Sequence, residues 1–508
     1  MTDADAIERT PTGISGFDLV ALGGLPAGRS TLVTGTTGSG KTLFAVEFLA
    51  RGITVHDEPG VFVTFEETAA DVRRNSASLG LTVGQWETEG KWAFVDASAG
   101  IAGEEVIVGS YDFGALAARI EHAVRQIGAR RVSIDSLGAI FTRFAEAGVV
   151  RHELFRLAAT LEPLGVTSVL TAERTGEYDG VSRYGVEEFV LDNVIILRNV
   201  LDAGHRRRTI EVVKFRGCPH RSGEWLFTID PQDGMVILPL AFLIAREHAS
   251  QHRVTCGNNE LDQMCGGGWY RDAIVLLTGP TGSGKTLTSL RFAAAGTAAG
   301  ERVLLYSFDE SREQLARNAS GWGLDLDAME ASGLLRVICD YPEVASLEDH
   351  FLRLRRAIEE FEPARLTVDT ISALERIAAG RALVDFVLAL GGVLRSREVT
   401  TLLTSGPTGR NGSSAPPSVA TEIASFADTT ILLRYVEQPG RIGRVIAVLQ
   451  TRGSAHDHSV RQVNIDSDGM RIGEPWPGIA HVLAETPLGL AGQLLTPTAL
   501  ETYGDDLL

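Results

Sequence analysis

Aromatic side chains make up only 7% of this 508-residue chain, and cysteine occurs just four times, at Cys218, Cys256, Cys265 and Cys339. No two of these stand as Cys-x-x-Cys, and none joins histidine at zinc-ligand spacing, so there is no sequence case for a zinc module. His456-Asp457-His458 has histidines spaced to share one face of a strand and touch a metal, but its ordinary reading is a solvent-facing loop. No apolar run approaches the ~20 residues that span a bilayer. The acidic start, Met1-Thr2-Asp3-Ala4-Asp5, lacks the basic-then-apolar pattern of a secretory signal. The expectation is a cytoplasmic, reduced protein without membrane contact. Basic charge is also short: 47 Lys and Arg against 65 Asp and Glu leave a net charge of −18. That average field repels a polyanion, which argues against non-specific nucleic-acid binding. The densest basic run, Arg206-Arg207-Arg208, reads as a solvated strand end.

What is present is an ordinary globular composition, 44% hydrophobic and 22% charged, in a chain too long for one core. At about 150 residues per domain, two to four domains are expected. An internal repeat decides the matter. GTTGSGKT (Gly35 to Thr42) is matched by GPTGSGKT (Gly279 to Thr286), and GISGFDLVALGGLPAG (from Gly13) by GNNELDQMCGGGWYRD (from Gly257). In the same order follow VFVTFEETAADVRRNSASLGL with VLLYSFDESREQLARNASGWGL, and RRVSIDSLGAI with ARLTVDTISAL. GVTSVLTAERTG (Gly165 to Gly176) then pairs with EVTTLLTSGPTG (Glu398 to Gly409), and FVLDNVIILRNV with SFADTTILLRYV. The chain is a duplication, with domains expected at 1–245 and 246–485 and a tail, 486–508, that lacks periodicity. In each copy short β-branched apolar runs alternate with amphipathic stretches, which predicts an α/β fold whose parallel sheet is covered by helices on both faces.

Gly-x-x-x-x-Gly-Lys-Thr between a strand and a helix is the Walker A pattern. Its glycines let backbone N–H groups curl around phosphate oxygens, and the following helix adds its positive end. Lys41 and Lys285 would reach the β- and γ-phosphates, and the hydroxyls of Thr42 and Thr286 would reach Mg²⁺. Asp135 in SIDS and Asp369 in TVDT fit a second metal anchor, although a strand-end aspartate alone equally caps a loop. Hydrolysis needs a carboxylate that orients water, and Glu66-Glu67 follow the strand Val61 to Phe65. If the strand continued through them, only one would face the phosphate. The second copy has Asp309-Glu310, one methylene shorter at the first position, so unequal activity of the two sites is expected.

Beyond these motifs, VTFEET, VVRHELFRLAATL, RYGVEEFVLDNVIILRNVL, RRRTIEVVKFRG, ESREQLARNASGWG, DTTILLRYVE and RGSAHD resemble the KaiC family, from about Gly13 to Met470. The resemblance implies two tandem RecA-like P-loop NTPase domains and an ATP- and Mg²⁺-dependent homohexamer of two stacked rings, the first hydrolysing ATP and the second phosphorylating itself. It implies that Gly38, Ser39, Gly40, Lys41, Thr42, Leu43 and Ser78 contact nucleotide in the first domain, with Glu66 and Glu67 as the catalytic pair. It also implies that Lys214 and Arg216, with His220 nearby, reach a neighbouring subunit's nucleotide, Arg216 as a catalytic cation, and that Phe215, Cys218 and Asp230 contact nucleotide; without the family, Lys214-x-Arg216 reads as an exposed strand face. In the second domain it implies Thr281, Gly282, Ser283, Gly284, Lys285, Thr286, Leu287, Trp322, Arg444 and Arg452 at the nucleotide, with Asp309, Glu310 and Arg376 in catalysis and Asp309 also at the metal. The departures fall on autokinase chemistry. The family's adjacent Ser-Thr acceptors correspond to Ala424-Ser425, leaving Ser425 as the one candidate; the general-base glutamate is Asp309; and a lysine is replaced by Gln450. The tail, where the family meets its activator KaiA, does not resemble the family's, whereas the KaiB-binding face around Tyr111 to Arg131 does. Two other readings stay open: a RecA-type nucleic-acid motor, and a non-catalytic scaffold assembled by ATP.

Overall fold

The computed structural model describes residues 7–97, 113–138, 147–182, 185, 187–202, 205–238, 250–378, 381–407, 419–438 and 441–476. The chain divides into two compact units, Met1–Phe242 and Leu243–Leu508. The seam expected at 245/246 and the tail 486–508 lie outside the described residues.

In the first unit a small antiparallel pair, β1 (Arg9–Thr10) and β2 (Leu25–Pro26), precedes a nine-stranded sheet. Its strands are β3 (Ser30–Gly35), β4 (Gly60–Thr64), β5 (Trp92–Asp96), β6 (Arg131–Asp135), β7 (Thr167–Glu173), β8 (Asn193–Asp202), β9 (His205–Phe215), β10 (Glu224–Asp230) and β11 (Gly234–Ile237). Their spatial order is β11-β10-β9-β8-β3-β7-β6-β4-β5. The stretch from β5 to β8 is parallel, and β9 to β11 return antiparallel. The sheet is therefore mostly rather than wholly parallel. Hydrophobic periodicity marks strands but not their partners, and so the antiparallel ribbon was not visible in the sequence.

The central parallel strands β3 and β4 are buried throughout because both faces are covered. Val33 and Phe62 face the cluster built on Phe44, Phe48 and Leu49 of the helix Lys41–His56. Their neighbours Leu32, Val61 and Val63 face the opposite cluster, with Ile120 and Leu154 from the helices Phe113–Ile127 and Ala147–Leu161.

The second unit repeats this plan. After β12 (Arg253–Val254) and β13 (Trp269–Tyr270) come β14 (Ile274–Thr278), β15 (Val303–Ser307), β16 (Leu335–Cys339), β17 (Arg365–Asp369), β18 (Thr400–Ser405), β19 (Thr429–Gln438), β20 (Arg441–Thr451), β21 (Arg461–Asp466) and β22 (Gly469–Pro475). The order β16-β15-β17-β18-β14-β19-β20-β21-β22 matches the first sheet strand for strand.

One difference inside the repeat has a consequence for pH. Glu47, on the helix after the first P-loop, is 1% exposed; its Oε1 accepts the Met235 N–H at 2.7 Å, while Oε2 has only Arg51 at 3.7 Å. The corresponding second-unit residue is Arg291, which donates to the carbonyls of Asp468 and Trp322. Burial pushes the Glu47 carboxyl from 4.5 up to about 7, against the pull of Met235 N–H and Arg51. The unfolded chain thus loses this proton first as pH rises, so the first unit loses stability between about 4.5 and about 7. Glu47→Gln removes that loss. The expected gain is on the order of 2 kcal/mol above pH 7.5, roughly 4–8 °C in Tm, and almost nothing at pH 4.5. Thermal melts at the two pH values check it; an equal gain at both would refute it.

Candidate functional site

Each P-loop connects a central strand to a helix. After β3 the chain passes Gly38 (φ 76°) and Gly40 (φ 100°) into the helix beginning at Lys41; after β14 it passes Gly282 (φ 76°) and Gly284 (φ 114°) into the one beginning at Lys285. These left-handed backbones favour glycine. Gly40 and Gly284 make no side-chain cap, so neither helix terminus has a side chain of its own to satisfy its first N–H groups. Inside the loops Ser39 Oγ and Ser283 Oγ are buried without a partner. Free amides, an orphaned hydroxyl and a lysine form a cradle that fits a polyphosphate. Leu43 and Leu287 are the third residues of the two helices.

Around the first cradle Thr42 Oγ1 donates to Asp135 Oδ2 at 2.8 Å, and Thr171 Oγ1 donates to the other carboxylate oxygen. In the second unit Thr286 and Thr404 bond Asp369 in the same way. Burial pushes both aspartates up, opposed by these hydroxyls and by Lys41 or Lys285. A cation between hydroxyl and carboxylate would offset that desolvation, so Thr42–Asp135 and Thr286–Asp369 fit the Mg²⁺ of a Mg-nucleotide. Burial also lowers the pKa of Lys41, against Glu173, Asp135, Glu66 and Glu177; Lys285 is lowered by burial against only Asp369 and Asp309. Lys41 Nζ donates to Thr36 O at 2.9 Å, and Lys285 Nζ to Gly279 O at 2.8 Å.

Strand β4 ends at Thr64, before Glu66-Glu67, so strand alternation does not separate the two carboxylates. Glu66 Oε1 accepts Ser136 Oγ at 2.5 Å, and Glu67 Oε2 accepts Asn75 Nδ2 at 3.0 Å. In the second unit Asn318 holds Glu310 at 2.9 Å, matching Asn75, but Asp309 pairs with Arg376 at 3.1 Å. Arg376 also pairs with Glu343 at 3.0 Å. A cleft of about 680 Å³ is lined by Lys285, Thr286, Asp309, Glu310, Trp322 and Arg444, with Asp369 beside them.

Strand register separates the remaining candidates into two ends. Thr31 pairs with Asn193 and Asn193 with Phe215, which puts Lys214, Phe215 and Arg216 at the end of the sheet opposite the P-loop. Lys214 Nζ there donates to Glu188 O and Leu191 O, and Arg216 lies 3.5 Å from Asp192. Phe215 packs on His220, whose Nδ1 lies 3.3 Å from Arg221 O, and Cys218 is half-buried nearby. Arg452 occupies the same far end of the second sheet, donating to Ser425 O at 2.6 Å, and the exposed Ser425 hydroxyl donates to Glu422 O at 2.7 Å. These residues are not brought to their own chain's cradle. Asp230, by contrast, ends β10 at the P-loop end of the sheet, where its neighbour Ile229 lies 3.5 Å from a Cβ placed on Gly40, and it caps the turn at Gln232 and Asp233; Ser78 bonds Asn75 O.

Arg206–Arg208 open β9 as a strand end, and there Arg208 also donates to Gly38 O at 3.3 Å, as does Asn199. Arg444 and Tyr435 make the same bonds to Gly282 O and Thr281 O. Ser136, Thr171 and Arg208 are the residues that sequence reasoning missed; the SIDS motif and the repeat alignment carried the signal for all three. His456 and His458 stack at 4.3 Å in a loop, Asp457 pairs with Arg461, and no group of three metal-ligating side chains occurs among the described residues. No described helix is long and apolar enough to cross a membrane. Of the stretch 111–131, Tyr111 and Asp112 lie outside the described residues.

Two matching α/β units, each with a P-loop after its central strand and an aspartate beside it, define a tandem RecA-like P-loop ATPase. The family described as "ATPase: KaiC" matches residues 10–241 and 254–476. The circadian clock protein KaiC3 of Synechocystis sp. is 49% identical over 486 residues, 96% of each chain. The circadian clock oscillator protein KaiC of Synechococcus elongatus is 45% identical over 486 residues, 96% of this chain and 93% of that one. That of Thermostichus vulcanus is 46% identical over 481 residues, 95% and 92%. The chain belongs to the KaiC family of ATPases.

Proposed function

We propose that this chain hydrolyses Mg-ATP chiefly in its first unit, as a ring-forming homohexamer that serves as a timing or signalling switch. The observation carrying the reading is the cluster of Lys41, Thr42–Asp135 and Ser136–Glu66 at one strand edge. Backbone amides and Lys41 would bind the phosphates, Thr42 and Asp135 would hold the metal, and Glu66 would orient water. Mg²⁺ would neutralise charge developing on the phosphoryl oxygens.

Ring assembly is supported by the two-ended arrangement. Lys214 and Arg216 cannot turn to their own cradle at the other end of the sheet. A neighbouring copy could present its nucleotide to them, Arg216 then acting as the trans cation and Arg452 likewise in the second ring. Phosphate transfer to Ser425 would follow the same geometry, from a neighbour's second site. There Asp309 is short, and Arg376 neutralises it, so autokinase activity is expected to be the weaker one. The same reading includes a KaiB-like partner on the first unit.

Native mass spectrometry with and without Mg-ATP, phosphate release, and phosphosite mapping test the reading together. Hexamers that depend on ATP and release phosphate support it. Hexamers that form yet release none over days would leave a nucleotide-sensing scaffold, and DNA-stimulated turnover with a steep salt dependence would point to a nucleic-acid motor.

A further inference from the structure

We infer that Arg29 and Arg9 are positioning residues for ATP hydrolysis on a neighbouring chain, because their side chains fix the backbone of the loop that carries Arg216. The inference rests on the trans reading of Arg216 given above. A long cation can meet a transferring phosphate reproducibly only if its own backbone is held. The Arg216 side chain is exposed, and its guanidinium lies 3.5 Å from Asp192, too far to be pinned there. Its backbone is held on both sides. The Arg216 N–H donates to Asp192 O at 3.2 Å, and the Arg216 carbonyl accepts Arg29 Nη1 at 2.7 Å. The chain then turns at Gly217 (φ 70°), where a Cβ would stand 3.2 Å from Ile7 Cδ1. Arg9 donates to Pro219 O at 2.5 Å and to Gly24 O at 3.1 Å, with its guanidinium 5.5 Å from the Phe215 ring. Arg221 closes the loop, its Nε donating to Leu19 O at 3.2 Å and its N–H to Val20 O at 3.0 Å.

The second unit keeps one half of this brace and replaces the other. At the offset that relates Gly35 to Gly279, Arg253 stands for Arg9. It donates to Gly268 O, the counterpart of Gly24 O, at 2.6 Å, and to Ser454 Oγ, in the loop after Arg452, also at 2.6 Å. Its guanidinium lies 4.1 Å from the Tyr270 ring. Arg29, however, falls on Ala273, and there the Tyr270 hydroxyl donates to Gly453 O at 3.2 Å instead. Two unlike side chains thus do one job, holding a carbonyl at the arginine–glycine turn. In the first unit that donor immediately precedes β3, whose far end passes into the P-loop. One six-residue strand therefore joins a chain's own cradle to the loop it would offer its neighbour.

Arg29→Ala should lower kcat about 10-fold with KM for Mg-ATP within about twofold of the parent, and Arg29→Lys, which keeps a donor, should recover kcat to within about 3-fold. Arg216→Ala, run beside it, should lose about 10²-fold or more. A damaged fold would also slow turnover, so the deciding measurement is complementation. Arg29→Ala chains keep a sound cradle, and Glu66→Gln chains keep a sound loop. Mixed before Mg-ATP is added, they should form rings that release phosphate several-fold faster than the mean of the two chains assayed apart, because the loop of one meets the cradle of the other. Mixed rings no faster than that mean overturn the inference, as does an Arg29→Ala kcat within twofold of the parent. Should Arg29→Ala form no rings, Arg9→Ala takes its place in the mixture and is read by the same rule. A loss in Arg216→Ala without one in Arg29→Ala overturns the brace alone. If Arg216→Ala leaves turnover intact, the trans reading itself fails and the brace falls with it.

Discussion

Glu66→Gln lowers phosphate release by about 10²–10³-fold, whereas Asp309→Asn changes the total less than twofold. The first figure is the lower part of the range of about 10²–10⁴-fold that a positioned general base contributes. Ser136 donates to Glu66 at 2.5 Å and so fixes one carboxylate oxygen, leaving the other to accept a proton from water. Glutamine keeps the size and can keep the serine contact, but it cannot take that proton. Asp309 is a methylene shorter and is held by Arg376 at 3.1 Å, which draws its charge away from the cleft. Single-turnover assays with radiolabelled ATP measure both variants, with hexamer content checked in each. Turnover of the Glu66→Gln chain within threefold of the parent would remove this carboxylate from the chemistry. Equal losses in the two variants would mean that the rings share the work.

The parts of the site legible in the sequence are those whose chemistry needs consecutive residues. A phosphate cradle needs amides in sequence, so GTTGSGKT and GPTGSGKT announce themselves, and a strand-end aspartate following an apolar run is equally local. The repeat extended that legibility, because each half vouches for the other's strands. What stayed hidden depends on contacts across the sheet. Thr171 reaches Asp135 only because β7 pairs with β6. Arg208 was hidden for the opposite reason: a run of three arginines looks like a solvated edge until β9 is seen to fold back along β8 and bring it to Gly38. The same fold-back carries Lys214 and Arg216 away from the P-loop, a fact no spacing rule could supply.

Gly52→Ala should destabilise the first unit, although glycine-to-alanine inside a helix ordinarily adds about 1 kcal/mol. The reason is Arg131, whose guanidinium is fully buried against this helix. It donates to Glu58 at 2.7 Å, to Phe48 O at 2.9 Å and to Pro11 O at 2.8 Å, with Phe48's ring 4.8 Å away. Burial lowers its pKa and Glu58 opposes that, so the charge is retained in a fixed slot. A Cβ on Gly52 would sit 2.5 Å from Arg131 Nε, and one on Gly296 would sit 3.0 Å from Arg365 Nε in the second unit, where Glu301 replaces Glu58. Glycine is thus required by the arginine, not by the helix. Arg131→Met takes a hydrogen bond from the Phe48 and Pro11 carbonyls and removes the partner of Glu58, a loss of about 3 kcal/mol. Gly52→Ala forces the guanidinium out of its slot and should cost about 2 kcal/mol or more. The two changes must then be non-additive: with methionine at 131 the slot is free of the rigid guanidinium, and alanine at 52 should become neutral or stabilising. Urea unfolding of the parent, both single variants and the double gives the cycle. Additive losses would show that Gly52 and Arg131 matter independently, and the account of the buried arginine as the glycine's reason would fall.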